Sequence, residues 1–113
     1  MKFTALSVLV SFIAVVAATS GQATWYQPNG GRGACGKPLQ NGDLALALTS
    51  ANFAGGRNCG KRVNVQYQGR SITAVVQDEC PGCQTNGIDL TEGAFRKLAS
   101  LDAGVIQVNW NYV

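Results

Sequence analysis

Four cysteines limit the folds open to this 113-residue chain more than any other feature of its sequence. Cys35 and Cys59 are 24 positions apart, whereas only Pro81 and Gly82 separate Cys80 from Cys83. Four cysteines allow three disulfide pairings, and they could instead bind zinc or form one redox-active pair. The choice depends on whether the protein occupies an oxidising or a reducing compartment.

The N-terminal segment indicates export to an oxidising compartment. Lys2 provides a basic start, residues 3–18 are almost continuously apolar, and the last three of these are small. This stretch is too short for an ordinary membrane-spanning helix, although an N-terminal anchor is the alternative. We therefore predict a signal peptide over residues 1–20, cleaved near Ala18 or Ser20. The mature protein would be secreted, extracellular or in the cell wall, and free of the membrane.

Secretion favours structural disulfides for all four cysteines. Zinc sites usually present two close cysteine pairs, and Cys35 and Cys59 do not form one. A redox Cys-x-x-Cys normally opens a helix, whereas the residues after Cys83 are typical of a loop. The spacing alone does not select among the three pairings.

The composition excludes several kinds of chemistry. The absence of histidine removes Ser-His-Asp hydrolysis, Cys-His proteolysis and zinc sites that use imidazole. Loss of Lys2 with the signal peptide would leave 8 basic and 6 acidic side chains, a net charge of 8 − 6 = +2. That charge is too small and too scattered for nucleic-acid binding. We expect no nucleic-acid partner, no metal and no cofactor.

Alternating apolar and polar residues predict a β-rich fold in a single domain. Val63, Val65 and Tyr67 alternate with polar residues, and Gln68–Gly69 then turns the chain into residues 71–76, which predicts a hairpin. Leu, Ala and Leu alternate over residues 44–48, which suits a strand packed on both sides. Further strands are predicted at residues 23–26 and 105–113, with a glycine-rich loop at residues 28–33.

One helix is predicted after Thr91, which has the side chain of a good N-cap. Glu92 in the first turn and Arg96 and Lys97 near the end complement the helix dipole. The expected buried stripe consists of Ala94, Phe95, Leu98 and Ala99. Together these elements predict a mainly β protein, a small and mostly antiparallel barrel with one or two short helices.

Six segments in a fixed order resemble a known family. They are ATWY at 23–26, ACG at 34–36, NCGK at 58–61, VQDECPGC at 76–83, GIDLT at 87–91 with AFRKL at 94–98, and VNW at 108–110. Each is weak alone, but the series resembles the double-psi β-barrel of expansins, barwin-like proteins and the rare-lipoprotein-A group. The resemblance covers essentially all of residues 21–113. It implies a six-stranded double-psi β-barrel, like expansin domain 1, with disulfides Cys35–Cys59 and Cys80–Cys83.

Within that family the chain looks most like the single-domain, expansin-related secreted proteins of fungi, the loosenin type. These bind cellulose or chitin and loosen polysaccharide networks without hydrolysing them. The resemblance therefore implies a monomeric, non-enzymatic protein whose partner is a cell-wall polysaccharide. Full-length expansins also carry a β-sandwich domain with a flat aromatic surface, and the 113-residue sequence has no equivalent. We expect binding to rest on the barrel groove, or to be weak.

Asp89, Asp78 and Thr24 are the candidate site residues. Asp89 lies between Ile88 and Leu90, where desolvation would favour the protonated acid and make it a proton donor. The resemblance gives Asp89 the acid position of expansins, Asp78 a second acid near it, and Thr24 a hydroxyl that would bond Asp89 or a sugar. Each has a structural alternative: a backbone contact for Asp89, a strand-end cap for Asp78, and β-propensity alone for Thr24.

Trp25, Tyr26 and Trp110 are the candidate sugar contacts, because a flat aromatic ring covers the apolar face of a pyranose. Core packing is the default for an aromatic residue in a strand, and it is the favoured interpretation for Trp110. Tyr26, beside the glycine-rich loop, is expected to be the most exposed of the three.

Two other functions fit parts of the sequence. Similar small barrels inhibit papain-like cysteine proteases, and the loop at 28–33 or at 80–83 would then contact the protease. A glycoside-cleaving enzyme would need a second carboxylate as base, for which Asp78, Glu79 and Asp43 are available. The lytic branch of the family, however, pairs its acid with a histidine. A riboflavin-oxidising activity lacks support, since no dinucleotide-binding fingerprint is present.

Overall fold

The computed structural model describes residues 18–113. Most of the predicted signal peptide, residues 1–17, lies outside the described residues. Six strands and two short helices make up the described chain. The strands are β1 (Thr19–Tyr26), β2 (Ala45–Leu48), β3 (Arg62–Tyr67), β4 (Arg70–Glu79), β5 (Ile88–Thr91) and β6 (Ile106–Tyr112). The helices are α1 (Ser50–Phe53) and α2 (Glu92–Arg96), and short 3₁₀ turns cover Ala54–Gly56 and Leu101–Ala103.

The six strands close into a barrel in the order β1-β5-β2-β4-β3-β6. Four neighbouring pairs are antiparallel, while β1 with β5 and β2 with β4 are parallel. The predicted six-stranded, mostly antiparallel barrel with short helices is therefore confirmed. The parallel pairs bring segments far apart in the sequence side by side, and the candidate site is built on both of them.

The hairpin between β3 and β4 forms as the sequence predicts. Gln68 and Gly69 both have positive φ, 45° and 79°, as a two-residue turn between right-handed twisted strands requires. From this turn Val65 pairs with Ile72, and Val63 pairs with Ala74. All four of these side chains are buried, so the alternation in the sequence is the alternation between core and surface.

The barrel interior and the underside of α2 form one hydrophobic core. All four residues of β2 are buried, because its leucines face the interior while Ala45 and Ala47 are covered from the other side. Helix α2 and the residues after it contribute Phe95 and Leu98, which are 0% and 1% exposed. Of the predicted helical stripe, only Ala99 remains partly exposed.

Thr91 does not cap α2 with its side chain, contrary to the prediction from the sequence. It precedes the helix, but its hydroxyl bonds the carbonyl oxygen of Asp43 and accepts a hydrogen bond from the Ala45 backbone N–H, 3.4 Å away. The physical reason is that β5 runs directly into the helix. Thr91 is thereby completely buried against residues 43–45, where its hydroxyl satisfies backbone groups of that segment.

Both disulfides implied by the resemblance are present. Cys35–Cys59 joins the loop after β1 to the segment before β3, with Cα atoms 5.8 Å apart. Cys80–Cys83 closes the turn after β4, with Cα atoms 5.4 Å apart. The disulfide interpretation of the four cysteines is confirmed, and the zinc and redox alternatives are wrong for this structure.

Candidate functional site

Asp89 lies at the centre of β5 with its side chain on the outer face of the barrel. Its neighbours Ile88 and Leu90 point inward and are fully buried. The parallel register places Thr24 of β1 opposite Asp89, and the Thr24 hydroxyl donates to Asp89 Oδ1 at 2.9 Å. Desolvation raises the pKa of Asp89, the Thr24 hydrogen bond opposes that shift, and the charge of Asp78 adds to it.

Asp78 and Asp89 flank one small residue. Ala47 of β2 is opposite Asp89 in β5 on one side and opposite Asp78 in β4 on the other. Since neighbouring strands lie about 4.8 Å apart, the backbones of the two acids are separated by about 10 Å. Ala47 itself is 2% exposed, so the groups around the two carboxylates cover it.

A bulge in β4 sets the direction of Asp78. Leu46 pairs with Val76, yet the next residue of β2, Ala47, pairs with Asp78, so Gln77 is the extra residue. Without the bulge Gln77 would be opposite Ala47, and Asp78 would project to the other side of the sheet. The bulge therefore brings Asp78 to the face that carries Asp89.

The Asp78 carboxylate is held by three donors. Its Oδ1 accepts from the backbone N–H groups of Ala34 at 2.8 Å and Glu79 at 2.9 Å. Its Oδ2 accepts from the Tyr26 hydroxyl at 2.9 Å. The bond from Glu79 N–H is a local strand-end contact, so the structural interpretation of Asp78 also describes its geometry. Tyr26 is partly buried, and burial followed by the Asp78 hydrogen bond and charge raises the pKa of its hydroxyl strongly.

The three candidate aromatic residues lie in different places. Tyr26 shares the outer face with Thr24 and borders the acidic pair. Trp25 lies on the opposite side of β1, packs against the core, and donates from Nε1 to the Leu101 carbonyl at 3.0 Å. Trp110 is 2% exposed and donates from Nε1 to the Asn86 carbonyl at 2.9 Å.

Trp110 is therefore not placed to contact a sugar, and it packs in the core, which is the interpretation favoured from the sequence. Alternation along β6 points its ring into the barrel, where core packing covers both faces. Trp25 is partly buried against the core, so only part of its ring is available to a sugar.

A groove begins at Thr24 and runs beside the Cys80–Cys83 loop. Its volume is about 260 Å³, and Gln22, Gln84 and Gly87 also line it. A slightly larger recess of about 270 Å³ lies around Tyr67, at the β3–β4 turn and away from the acidic pair. Of the two, the groove is the one next to the candidate site, because Thr24, which bonds Asp89, lines it, although the two carboxylates do not.

The site elements differ in how far the sequence revealed them. Thr24 and Asp89 pair as the resemblance implies, and Asp78 lies close enough for its charge to act on Asp89. Reasoning from sequence missed Ala47 and the bond between Tyr26 and Asp78. The small residue at the middle of the apolar run 44–48 is the signal that could have located Ala47.

Residues 18–113 contain no group of three or more histidine, cysteine, aspartate or glutamate side chains arranged to hold a metal ion. Within the same residues no helix has the length and apolar character needed to cross a membrane.

A family model described as lytic transglycolase matches residues 18–110. This chain belongs to that double-psi β-barrel family. The membership covers both parallel strand pairs and all four residues of the candidate site, which are Thr24, Tyr26, Asp78 and Asp89.

Two curated relatives of this double-psi β-barrel protein differ in length. A papain inhibitor of Streptomyces mobaraensis is 38% identical over 102 residues, which cover 83% of this chain and 71% of that protein. An allergen homologue from Arthroderma benhamiae is 42% identical over 84 residues, covering 70% of this chain and 28% of the relative.

Solved structures give the same picture of the fold. The Streptomyces papain inhibitor superposes with a TM-score of 0.76 at 36% identity, covering 86% of this chain and 94% of the inhibitor. The expansin of Clavibacter michiganensis superposes with a TM-score of 0.79 at 30% identity, covering 86% of this chain and half of the expansin. A mutant of that expansin has been crystallised in complex with cellohexaose.

Proposed function

We propose that this protein binds cell-wall polysaccharide, cellulose or chitin, and loosens it without hydrolysis. The observation that carries the proposal is the pair Asp78 and Asp89 on one outer face, flanking Ala47 and bonded to Tyr26 and Thr24. A complex of a related expansin with cellohexaose supports the choice of a β-linked glycan.

The two acids have different roles in this proposal. Asp89, whose pKa is raised by desolvation, exchanges between a donor and an acceptor form at a higher pH than an ordinary aspartate, so it can replace hydrogen bonds between neighbouring glycan chains. Thr24 orients it. The Tyr26 ring offers an apolar edge to a pyranose while its hydroxyl stays on Asp78.

The absence of hydrolysis in the proposal rests on how Asp78 is bonded. A general base in an inverting glycosidase needs a free lone pair for the proton of the attacking water, and a carboxylate has about four lone-pair sites in total. Oδ1 of Asp78 accepts two backbone bonds and Oδ2 accepts one from Tyr26. The acid is thus held as part of the scaffold, and the sequence offers no histidine in its place.

We also propose that the protein acts outside the cell. The apolar segment at residues 3–18 and the use of all four cysteines in disulfides support export through an oxidising compartment. Strand β1 begins at Thr19, so cleavage after Ala18 would leave the whole strand in the mature protein.

The test compares wild-type protein with Asp89→Ala on insoluble cellulose, chitin and xylan. We expect the variant to keep its fold and lose at least tenfold in loosening, measured as extension of wall strips under constant load. Asp102→Ala, at an exposed acid outside the site, is the matched control and should behave as wild type. Unchanged loosening by Asp89→Ala would refute the role of the acid, and release of reducing sugar by wild type would refute the non-hydrolytic mechanism.

Inhibition of a papain-like protease is the second candidate function. A specific observation favours it, since the Streptomyces papain inhibitor matches 86% of this chain and 94% of its own length at 36% identity. The tips of the loop at residues 28–33 and of the Cys80–Cys83 turn are exposed and available for contact, namely Asn29, Gly31 and Arg32 in the first and Pro81 and Gly82 in the second. A papain inhibition assay on the same protein samples separates the candidates, because Asp89→Ala should leave inhibition by a surface loop unchanged.

A further inference from the structure

One side of the barrel carries a patch of uncharged polar side chains. On β1, β6, β3 and β4, most residues that alternate with the buried core positions there end in an amide or a hydroxyl, and the pair Arg62 and Val75 borders the patch. We call this surface the amide face. It consists of Ser20, Gln22, Asn64, Gln66, Ser71, Thr73, Gln107, Asn109 and Asn111.

The strand register arranges these side chains in rows across the barrel. Asn109 of β6 is opposite Ser20 on one side and opposite Gln66 on the other. In neighbouring rows Gln22 faces Gln107, and Asn64 is opposite Asn111. Neighbouring strands are about 4.8 Å apart, so the face is a close array of polar groups.

Hydrogen bonds within the array fix part of it and leave part of it open. The Ser20 hydroxyl donates to Asn109 Oδ1 at 2.8 Å, and Gln66 Nε2 donates to Asn64 Oδ1 at 2.9 Å. Within residues 18–113, the side chains of Gln22 and Gln107 form no hydrogen bond, and Asn109 Nδ2 has no acceptor. The face therefore offers unpaired amide donors and acceptors to a ligand.

The chemistry of the face selects a neutral, hydroxyl-rich ligand. Its nine positions are all uncharged in a chain with 15 charged side chains, and the one cation on the same side of β3 is Arg62 at the edge. The interior of the face therefore offers no counter-charge to an anionic or cationic polymer. It lacks the aromatic and arginine anchors that dominate protein interfaces. Amides donate and accept at once, and that matches the hydroxyl groups of an uncharged sugar chain.

The amide face is continuous with the site proposed above. Ser20, Gln22, Thr24 and Tyr26 alternate along the outer side of β1 and span about 20 Å. Gln22 and Thr24 also line the same groove. We propose that the amide face extends the binding surface for neutral polysaccharide, so that one long chain lies along β1 from the acidic pair onto Gln107, Asn109 and Gln66. This inference rests on the proposed function.

Removal of two central amides tests the extension. We expect Gln66→Ala/Asn109→Ala to bind insoluble cellulose or chitin about tenfold more weakly than wild type, a loss of about 1.4 kcal/mol. Binding of the corresponding disaccharide, which covers much less of the run from Tyr26 to Ser20 than a longer oligomer does, should not change. Gln40→Ala, an exposed amide outside the face, is the control and should bind as wild type.

An NMR titration of the wild-type protein with cellohexaose and chitohexaose avoids any question of folding. The side-chain amide signals of Gln66, Gln107 and Asn109 should shift with one of the two ligands. Shifts confined to residues around Thr24 and Asp89, or undiminished polymer binding by the double variant, would overturn the extension alone. Absence of binding by wild-type protein to every polysaccharide would overturn the proposed function as well.

Discussion

Among single residues, Asp89 links protonation to folding. Burial raises its pKa above the value of about 3.9 for an aspartate in an unfolded chain. Between these two pKa values the folded protein binds more protons than the unfolded chain, so stability decreases as the pH rises through that window. Ionisation of Asp89 therefore lowers the free energy of unfolding.

We expect Asp89→Asn to be more stable than wild type at pH 7. The amide keeps an acceptor for Thr24 and removes the buried charge and its repulsion by Asp78. The difference in melting temperature should disappear near pH 3, where wild-type Asp89 is protonated in both states. Melting curves from pH 3 to pH 8 measure this, and parallel pH profiles for the two proteins would contradict the account.

Tyr26 contributes one of the three hydrogen bonds to Asp78. We expect Tyr26→Phe to lower the free energy of unfolding by about 1 to 2 kcal/mol, because the carboxylate loses a side-chain donor in a partly buried site. Tyr67→Phe is the matched control, since the Tyr67 hydroxyl has no hydrogen bond among residues 18–113. Urea unfolding of both variants measures the difference. Equal decreases in the free energy of unfolding would show that the hydrogen bond to Asp78 does not stabilise the fold.

For the elements, the loop after β1 and the bulge of β4 support each other. Cys35 N–H donates to the Gln77 carbonyl at 3.1 Å, next to the bond between Ala34 N–H and Asp78. Gly33 lies so close to this bulge that a Cβ atom there would be 2.3 Å from the Gln77 oxygen. Only glycine allows the loop to approach the bulge at this distance.

We expect Gly33→Ala to destabilise the protein by at least about 2 kcal/mol, because the clash involves backbone on both sides. It should also weaken polysaccharide binding, since it displaces the Ala34 donor from Asp78. Gly42→Ala is the matched control, with no heavy atom within 4 Å of its added Cβ. Urea unfolding and cellulose adsorption test the pair, and a Gly33→Ala protein as stable as Gly42→Ala would contradict this packing argument.

The elements also separate what the sequence could predict from what it could not. The β3–β4 hairpin and the buried stripe of α2 follow from alternation and turn residues within a few positions of each other. The bulge at Gln77 depends on pairing with β2, about 30 positions earlier, and no local pattern records it. Thr91 has the side chain of an N-cap, yet the tertiary contact with residues 43–45 takes its hydroxyl.

The same division applies to the candidate site. Thr24 and Asp89 could be paired because a resemblance placed both of them, and the structure joins them. The Tyr26–Asp78 bond spans 52 positions and depends on the bulge, so reasoning from the sequence predicted Tyr26 as an exposed sugar contact and missed its bond to Asp78. Trp110 was ambiguous because an aromatic residue in an alternating strand can face either side until the barrel closes.

Across the whole molecule, the two disulfides should differ in their contribution to stability. Cys35–Cys59 closes a segment of 24 positions and Cys80–Cys83 one of 3 positions. Loop-closure entropy gives about 3.5 kcal/mol for the longer loop and about 1.6 kcal/mol for the shorter. The longer disulfide also holds the loop that donates to Asp78.

We therefore expect Cys35→Ala/Cys59→Ala to lower the free energy of unfolding by more than Cys80→Ala/Cys83→Ala does. The first pair should also lose polysaccharide binding in parallel with stability, because Ala34 is adjacent to Cys35. Urea unfolding of both double variants measures the order. A larger loss of stability in Cys80→Ala/Cys83→Ala would contradict this order and would show that the turn after β4 stabilises the fold more than the longer loop does.

The closed strand order has a consequence for a protein that would accumulate on a polymer surface. Each of the six strands in residues 18–113 has a hydrogen-bonded neighbour on both sides. An unpaired strand edge is the usual template for β-sheet growth between copies of a chain. Folded copies crowded along a glycan would therefore have no free strand edge through which to pair. The protein could cover a polymer densely without forming amyloid-like aggregates.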